Sequence, residues 1–130
     1  MATVLIVDDD QTTRAMIGIA VEELGHQPTY AHDGDECVEM VKTQTYDIIF
    51  MDLATPAKNG IIAIQEILEE YPSTKIIAMS GVDPDMLERA AEYGATLTMQ
   101  KPFKPKQVQD AVEGLLRGRL TGGWDDAPIN

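Results

Sequence analysis

Val4-Leu5-Ile6-Val7-Asp8-Asp9-Asp10 decides the fold, because four apolar residues run straight into three carboxylates. A continuous apolar run, rather than an alternating one, suits a strand buried on both faces of a parallel sheet. The acids that follow need the opposite environment, an open edge where charge stays hydrated. The same arrangement recurs three times. Asp52 follows Ile48-Ile49-Phe50-Met51, Ser80 follows Ile76-Ile77-Ala78-Met79, and Lys101-Pro102 lies just beyond Leu97-Thr98-Met99. If these runs are parallel strands, all four polar groups line one edge of one sheet.

Between the runs lie blocks with helical spacing. Met16, Ile17, Ala20, Val21 and Leu24 recur on one helical face, and Gly25 ends that helix. A weak strand is expected over Gln27 to Ala31, then a helix from about Asp35 to Lys42 with Cys37, Val38 and Val41 inward. Asn59 starts a third helix carrying Ile61, Ile64, Ile67 and Leu68, which Tyr71-Pro72 stops. A fourth strand spans Lys75 to Met79. Asp83-Pro84 starts a fourth helix, an acceptor at the cap with Pro in the first turn, and Gly94 ends it. Ala95 to Gln100 makes the last strand. Pro105 opens a final helix with Val108, Ala111, Val112, Leu115 and Leu116 on one face.

Five strand–helix repeats predict an α/β fold: a five-stranded parallel sheet, doubly wound and flavodoxin-like, in the order 2-1-3-4-5. In that order the first and third strands are neighbours at the switch point, so the acids at 8–10 face Asp52 across one crevice. Residues 1–117 make one domain; 118–130, without periodicity, read as a flexible tail that includes Trp124.

Composition narrows the function classes. The chain of 130 residues carries 22 acidic and 10 basic residues, a net charge of −12, which argues against direct nucleic-acid binding. No apolar run is long enough to enter and cross a bilayer, so the cytoplasm is the expected location. The single Cys37 sits in a helix-like stretch and reads as packing. His26 and His32 have no metal spacing with it and read as surface residues.

Carboxylates crowded into one crevice repel. At ~5 Å and an effective dielectric of ~20, each like pair costs roughly 3 kcal/mol. A proton or a cation must relieve that, and hard oxygen ligands suit Mg²⁺. The same cation makes Asp52 a feasible oxygen nucleophile toward a phosphoryl group. Lys101 offers a mobile positive charge for phosphate oxygens, and Ser80 a hydrogen bond. Plainer roles exist for single residues: Asp10 as a helix cap, Ser80-Gly81 as a loop pair, and Lys101-Pro102-Phe103 as a strand end with Phe103 under the last helix. Jointly, the plain reading needs four independent accidents at four strand ends.

At this point the chain resembles the receiver domain of two-component response regulators, over roughly Thr3 to Leu116. The resemblance rests on Val4-Leu5-Ile6-Val7-Asp8-Asp9-Asp10, Met51-Asp52-Leu53 with Pro56 and Gly60, Met79-Ser80-Gly81, Gly94-Ala95 and Lys101-Pro102-Phe103. It implies a phosphorylation-dependent switch in a phosphorelay rather than an enzyme. Asp52 would be the phosphoacceptor, served by a histidine kinase or a histidine phosphotransfer protein. Asp9 would bind Mg²⁺ directly and Asp8 through water, with Asp52 and the backbone carbonyl of Ala54 as further ligands. Ser80 and Lys101 would hold the phosphoryl oxygens, and the Lys101–Pro102 bond would be cis.

Three departures from the family pattern stand out. Thr98 occupies the position of the switch aromatic, so the readout through Ser80, Thr98, Lys101 and Pro102 lacks its ring. Ala57-Lys58 replaces a more usual Gly-Met pair. Ala54 and Val82 stand where relatives often carry side chains that steer the attacking water, which implies slow self-dephosphorylation. The resemblance also implies a partner-binding face on the last two helices and last strand: Met86, Arg89, Ala90, Lys104, Lys106, Gln107 and Val108. Two alternatives stay open. Asp8-x-Asp10-x-Thr12 is similar to the first motif of haloacid-dehalogenase-type phosphohydrolases, with Asp8 as nucleophile and Asp10 as acid/base, although Asp125-Asp126 is a poor substitute for their later acidic pair. A pseudo-receiver that never takes phosphate is the other.

Overall fold

Val4 to Val7 are wholly buried because the strand that holds them, β1 (Thr3–Val7), lies between two other strands and between two helical layers. The computed structural model describes residues 1–54, 59–81, 84–118 and 122–123. Along the chain β1 is followed by α1 (Gln11–Glu23), β2 (Gln27–Ala31), α2 (Gly34–Val41), β3 (Ile48–Asp52), α3 (Gly60–Glu70), β4 (Lys75–Ser80), α4 (Pro84–Glu92), β5 (Leu97–Gln100) and α5 (Pro105–Leu116). The five strands are parallel in the expected order 2-1-3-4-5.

Strand periodicity of two divides the apolar residues between two cores. Leu5, Val7, Ile49 and Met51 face Cys37, Ile64, Ile67 and Ala90, on the side of α2, α3 and α4. Val4, Ile6, Ile48 and Phe50 face Ile17, Val21, Val108 and Val112, on the side of α1 and α5. A slip of one residue would send both sets to the wrong layer, so burial fixes the register. Val4 pairs with Ile48 and Val7 with Met51, which leaves Asp8 and Asp52 as the next residues on adjacent strand tips.

The helix ends follow from local chemistry. Asp10 caps α1, accepting from the Thr12 N–H at 3.2 Å. Asp33 caps α2 through the Glu36 N–H at 2.9 Å, so that helix begins at Gly34, slightly before the expected start. Asn59 caps α3 through the Ile61 N–H at 2.8 Å. Gly25 and Gly94 take the left-handed conformation after α1 and α4, with φ of +89° and +112°. Strand β5 starts at Leu97 rather than Ala95, whose N–H is still bonded to the carbonyl of Ala90 at 2.9 Å.

One element has no counterpart in the expectation. Gly122–Gly123 forms a short parallel strand, β6, on the outer edge of β5. Two glycines bring no side chain whose burial a pattern could register. Pro56, Ala57, Lys58, Val82, Asp83, Trp124, Asp125 and Asp126, all used in reading the sequence, lie outside the described residues.

Gly60 couples the fold to the crevice. A Cβ there would stand 2.7 Å from the Leu53 Cα and 2.8 Å from the Asp52 carbonyl oxygen, both backbone atoms that have little room to yield. Ala normally favours a helix over Gly by ~1 kcal/mol, but this overlap outweighs it. Gly60→Ala is expected to lower stability by about 1–3 kcal/mol, read as a reduced urea midpoint with an unchanged slope; an equal or higher midpoint would contradict the packing described.

Candidate functional site

The crevice is built by three strand tips and the turn after β5. Asp8, buried, donates its N–H to the carbonyl of Ala31 at 3.2 Å, which extends β1's pairing with β2 to the carboxylate itself. Its Oδ1 accepts the Asp10 N–H at 2.9 Å, and its Oδ2 lies 2.7 Å from the Lys101 Nζ. Asp52 is only 3% exposed. Its Oδ1 accepts the Ala54 N–H at 3.1 Å, and its Oδ2 lies 3.5 Å from the same Lys101 Nζ. Asp9 is exposed, at the mouth. One carboxylate oxygen from each of Asp8, Asp9 and Asp52 falls within 4.8 Å of the others.

Lys101 is held from behind. Its backbone N–H donates to the carbonyl of Ser80 at 2.9 Å, and its bond to Pro102 is cis. Its stem runs over Gly81, where a Cβ would sit 3.2 Å from the Lys101 Cβ. Ser80 is 2% exposed, and its Oγ is buried with no hydrogen-bond partner among the described residues. An unpaired buried hydroxyl is costly, and this one ends the strand next to the acids.

Burial raises the Asp52 carboxyl above its ordinary value; the Ala54 N–H opposes this, and the Asp8 charge adds to it. For Lys101, burial works against the ammonium, yet the hydrogen bond to Asp8 and the charges of Asp52 and Asp8 together hold its pKa above the ordinary value. The two shifts describe one arrangement, a half-buried ammonium shared by two buried acids.

The remaining sequence candidates fall elsewhere. Asp10 turns away to cap α1; the Thr13 hydroxyl at 2.7 Å and the Thr12 N–H lower its pKa, and it lies outside the acidic cluster. A phosphohydrolase using Asp10 as acid/base therefore lacks that group in the crevice. Thr98 is half-buried on β5, opposite Ala78. Ala90 and Val108, expected on a partner face, are completely buried, whereas Arg89, Lys104 and Lys106 are exposed and Met86 and Gln107 half-buried. The Cys37 thiol is in the core, its pKa pushed up to about 12 by burial. His26 Nδ1 accepts the Ala2 N–H at 3.0 Å, half-buried rather than at the surface, and exposed His32 pairs with Glu36 at 3.0 Å. Arg14, which the sequence reading does not single out, donates from Nη1 to the Asp8 carbonyl at 2.6 Å and ties the acidic turn to α1.

Comparison with known proteins agrees with this geometry. A family model described as response regulator receiver domain matches residues 4–113. The chain is 38% identical over 111 residues to chemotaxis protein CheY of Thermotoga maritima, covering 84% of this chain and 92% of that protein. It is 42% identical over 79 residues to the autoinducer 1 sensor kinase/phosphatase LuxN of Vibrio campbellii, of which it spans only 9%. Among solved structures, CheY4 of Vibrio cholerae superimposes with a TM-score of 0.81 at 26% identity, covering 87% of this chain and 97% of that one. The receiver domain of the Francisella response regulator 1452 gives 0.83 at 27% identity, covering 91% and 98%.

The raised carboxyl of Asp52 has a consequence for stability. Its folded-state pKa lies above the ordinary 3.8, so protonated Asp52 favours the fold below that value, and the advantage is lost as pH rises through the raised pKa. At neutral pH the ionised group is a burden. Asp52→Asn is expected to raise the melting temperature at pH 7 in metal-free buffer, with the gain shrinking as pH falls toward 3.5. Thermal melts across that range check it; a lower melting temperature for the variant at pH 7 would contradict the assignment.

Proposed function

The chain belongs to the response regulator receiver family, and from that premise we propose that it is a signalling switch in which Asp52 accepts a phosphoryl group from a phosphohistidine. Receiver domains are phosphorylated by histidine kinases and act on downstream targets. The observation that carries the reading is the convergence of Asp8, Asp9 and Asp52 within 4.8 Å, faced by one ammonium.

That donor set fits a hard divalent cation: among the described residues, three carboxylates against one lysine leave an excess of negative charge. Asp8, Asp9 and Asp52, with the backbone carbonyl of Ala54, would hold Mg²⁺. When bound, the ion neutralises the carboxylates and the oxygens of the incoming group. In the transfer, an Asp52 carboxylate oxygen forms a bond to phosphorus while the bond from phosphorus to the donor's imidazole nitrogen breaks. The imidazole leaves with that electron pair, and the product is an acyl phosphate.

The chain's own residues orient and balance this exchange. The Ala54 N–H fixes one Asp52 oxygen, so Oδ2 is the one turned toward Lys101. Lys101, closer to Asp8 than to Asp52 before transfer, moves its charge to the phosphoryl oxygens. The unpartnered Ser80 hydroxyl donates to another of them, which relieves its buried polar group. Arg14 holds the Asp8 turn during these changes. Hydrolysis of the acyl phosphate is slow, because the Ala54 and Val82 side chains have no polar atom to orient water.

Three outcomes follow. Wild-type protein with Mg²⁺ and acetyl phosphate gains one acid-labile phosphoryl group by intact mass, and Asp52→Asn gains none; retained labelling of the variant would move the acceptor elsewhere. The phosphoryl group persists for minutes or longer in Mg²⁺ buffer, and a lifetime of seconds would remove the role given to Ala54 and Val82. Lys101→Ala folds and binds Mg²⁺, yet a partner captured by beryllofluoride-loaded wild type binds it at least tenfold more weakly.

A further inference from the structure

Asp9 is the least secured of the three acids. Asp8 and Asp52 are buried at strand ends, and both carboxylates accept hydrogen bonds. Asp9 is exposed, and its carboxylate has no hydrogen-bond partner among the described residues. Like charge from Asp8 and Asp52 pushes it outward, toward water. It nevertheless stands within 4.8 Å of both, so its backbone must hold it there. The peptide after Asp9 is fixed within the turn, because the Asp10 N–H donates to the Asp8 Oδ1 at 2.9 Å. The peptide before it is fixed from outside. The Asp8 carbonyl accepts from the Nη1 of Arg14, a half-buried residue of α1, at 2.6 Å.

We propose that Arg14 is a positioning residue for the cation site: by holding the Asp8 carbonyl it sets the plane of the Asp8–Asp9 peptide, and so aims the Asp9 carboxylate at the other two. The inference rests on the cation-binding reading of the crevice and adds to it a group that ligates nothing. A guanidinium suits the task, since its N–H donors are fixed in one plane and it stays charged at any working pH. A charged donor also makes a shorter and stronger bond than a neutral one. The sign of the effect separates this role from a simple charge effect. Near three carboxylates a fixed positive charge repels Mg²⁺, so removing Arg14 for its charge alone would tighten the metal. Removing it as the support of Asp9 loosens the metal, because one ligand is released to swing into water. The contact itself favours the second role: Nη1 meets a carbonyl, and the charges acting on the Asp52 carboxyl are those of Asp8 and Lys101.

The test is calorimetric titration of the full, metal-free chain with MgCl₂, for wild type, Arg14→Met, Arg14→Lys, Asp9→Asn and Arg14→Met/Asp9→Asn. Arg14→Met is expected to raise Kd about fivefold or more. Arg14→Lys, which keeps the charge but loses the planar fork, should raise it about twofold or more. Because Arg14 acts through Asp9, the double variant should bind within about twofold of Asp9→Asn alone, the non-additivity of coupled neighbours. In the metal-free chain the amide resonances of Asp9 and Asp10 should move in Arg14→Met while those of β4 stay, which marks a change in the turn and not a loss of fold. An equal or lower Kd in Arg14→Met or in Arg14→Lys, or losses that add fully in the double variant, would overturn the inference and leave the cation site standing. Absence of saturable Mg²⁺ binding in wild type, or an unchanged Kd in Asp9→Asn, would overturn the cation site and the inference with it.

Discussion

Repulsion between carboxylates that the sheet will not allow to separate is the constraint on which this molecule turns. Asp8 and Asp52 extend from strands whose preceding residues are fully buried and paired in register; neither can retreat without dragging an apolar residue out of the core. At ~5 Å, an effective dielectric of ~20 gives roughly 3 kcal/mol of repulsion per pair. Lys101 offsets part of it, being shared between the two buried acids at 2.7 and 3.5 Å. Asp9 adds a third charge at the mouth. The crevice is consequently a place where added positive charge stabilises and where redistribution of charge is felt at once.

Under the proposed function, the same constraint lets the site act as a switch rather than a static binding pocket. Its members come from different elements: Asp8 and Asp9 from the end of β1, Asp52 from β3, Ser80 from β4, and Lys101 from the turn after β5. A charged group added on Asp52 changes what Lys101 and Ser80 are attracted to, and these two are joined to each other through a backbone bond. Close-packed layers do not deform smoothly, so a pull on one strand end is answered by movement of loops and helices. A switch from ~1:99 to ~99:1 requires about 5.5 kcal/mol of differential stabilisation.

Much of this was legible in the residues because parallel strands buried on both sides are written as unbroken apolar runs, and each run here ends abruptly in a polar group. The strand order followed from alternation and crossover geometry, and the acid cluster from that order. Helix ends were readable where a capping side chain was present, as at Asp10 and Asn59. What failed to show did so for physical reasons. Gly122–Gly123 pairs through backbone alone and leaves no pattern. Arg14 reaches Asp8 by a contact whose partner is a carbonyl, which every residue possesses. Ala90 and Val108 were placed on an outer face, although the four-residue spacing of Val108 from Val112 already put it on the inward stripe of the last helix; there helical periodicity was the better guide than analogy with relatives.

The central claim, that acids from two adjacent strand tips share one divalent cation, is most directly tested by the dependence of folding stability on Mg²⁺. A ligand that binds only the native state stabilises it by RT ln(1 + [L]/Kd), about 2.7 kcal/mol at a hundredfold excess over Kd. Thermal melts of wild type should shift upward with Mg²⁺ along that logarithmic curve, and Asp9→Asn should flatten it while Asp33→Asn, a change at the α2 cap, should not. A melting temperature indifferent to Mg²⁺ in the wild type, or a shift that survives loss of Asp9 intact, would contradict the account.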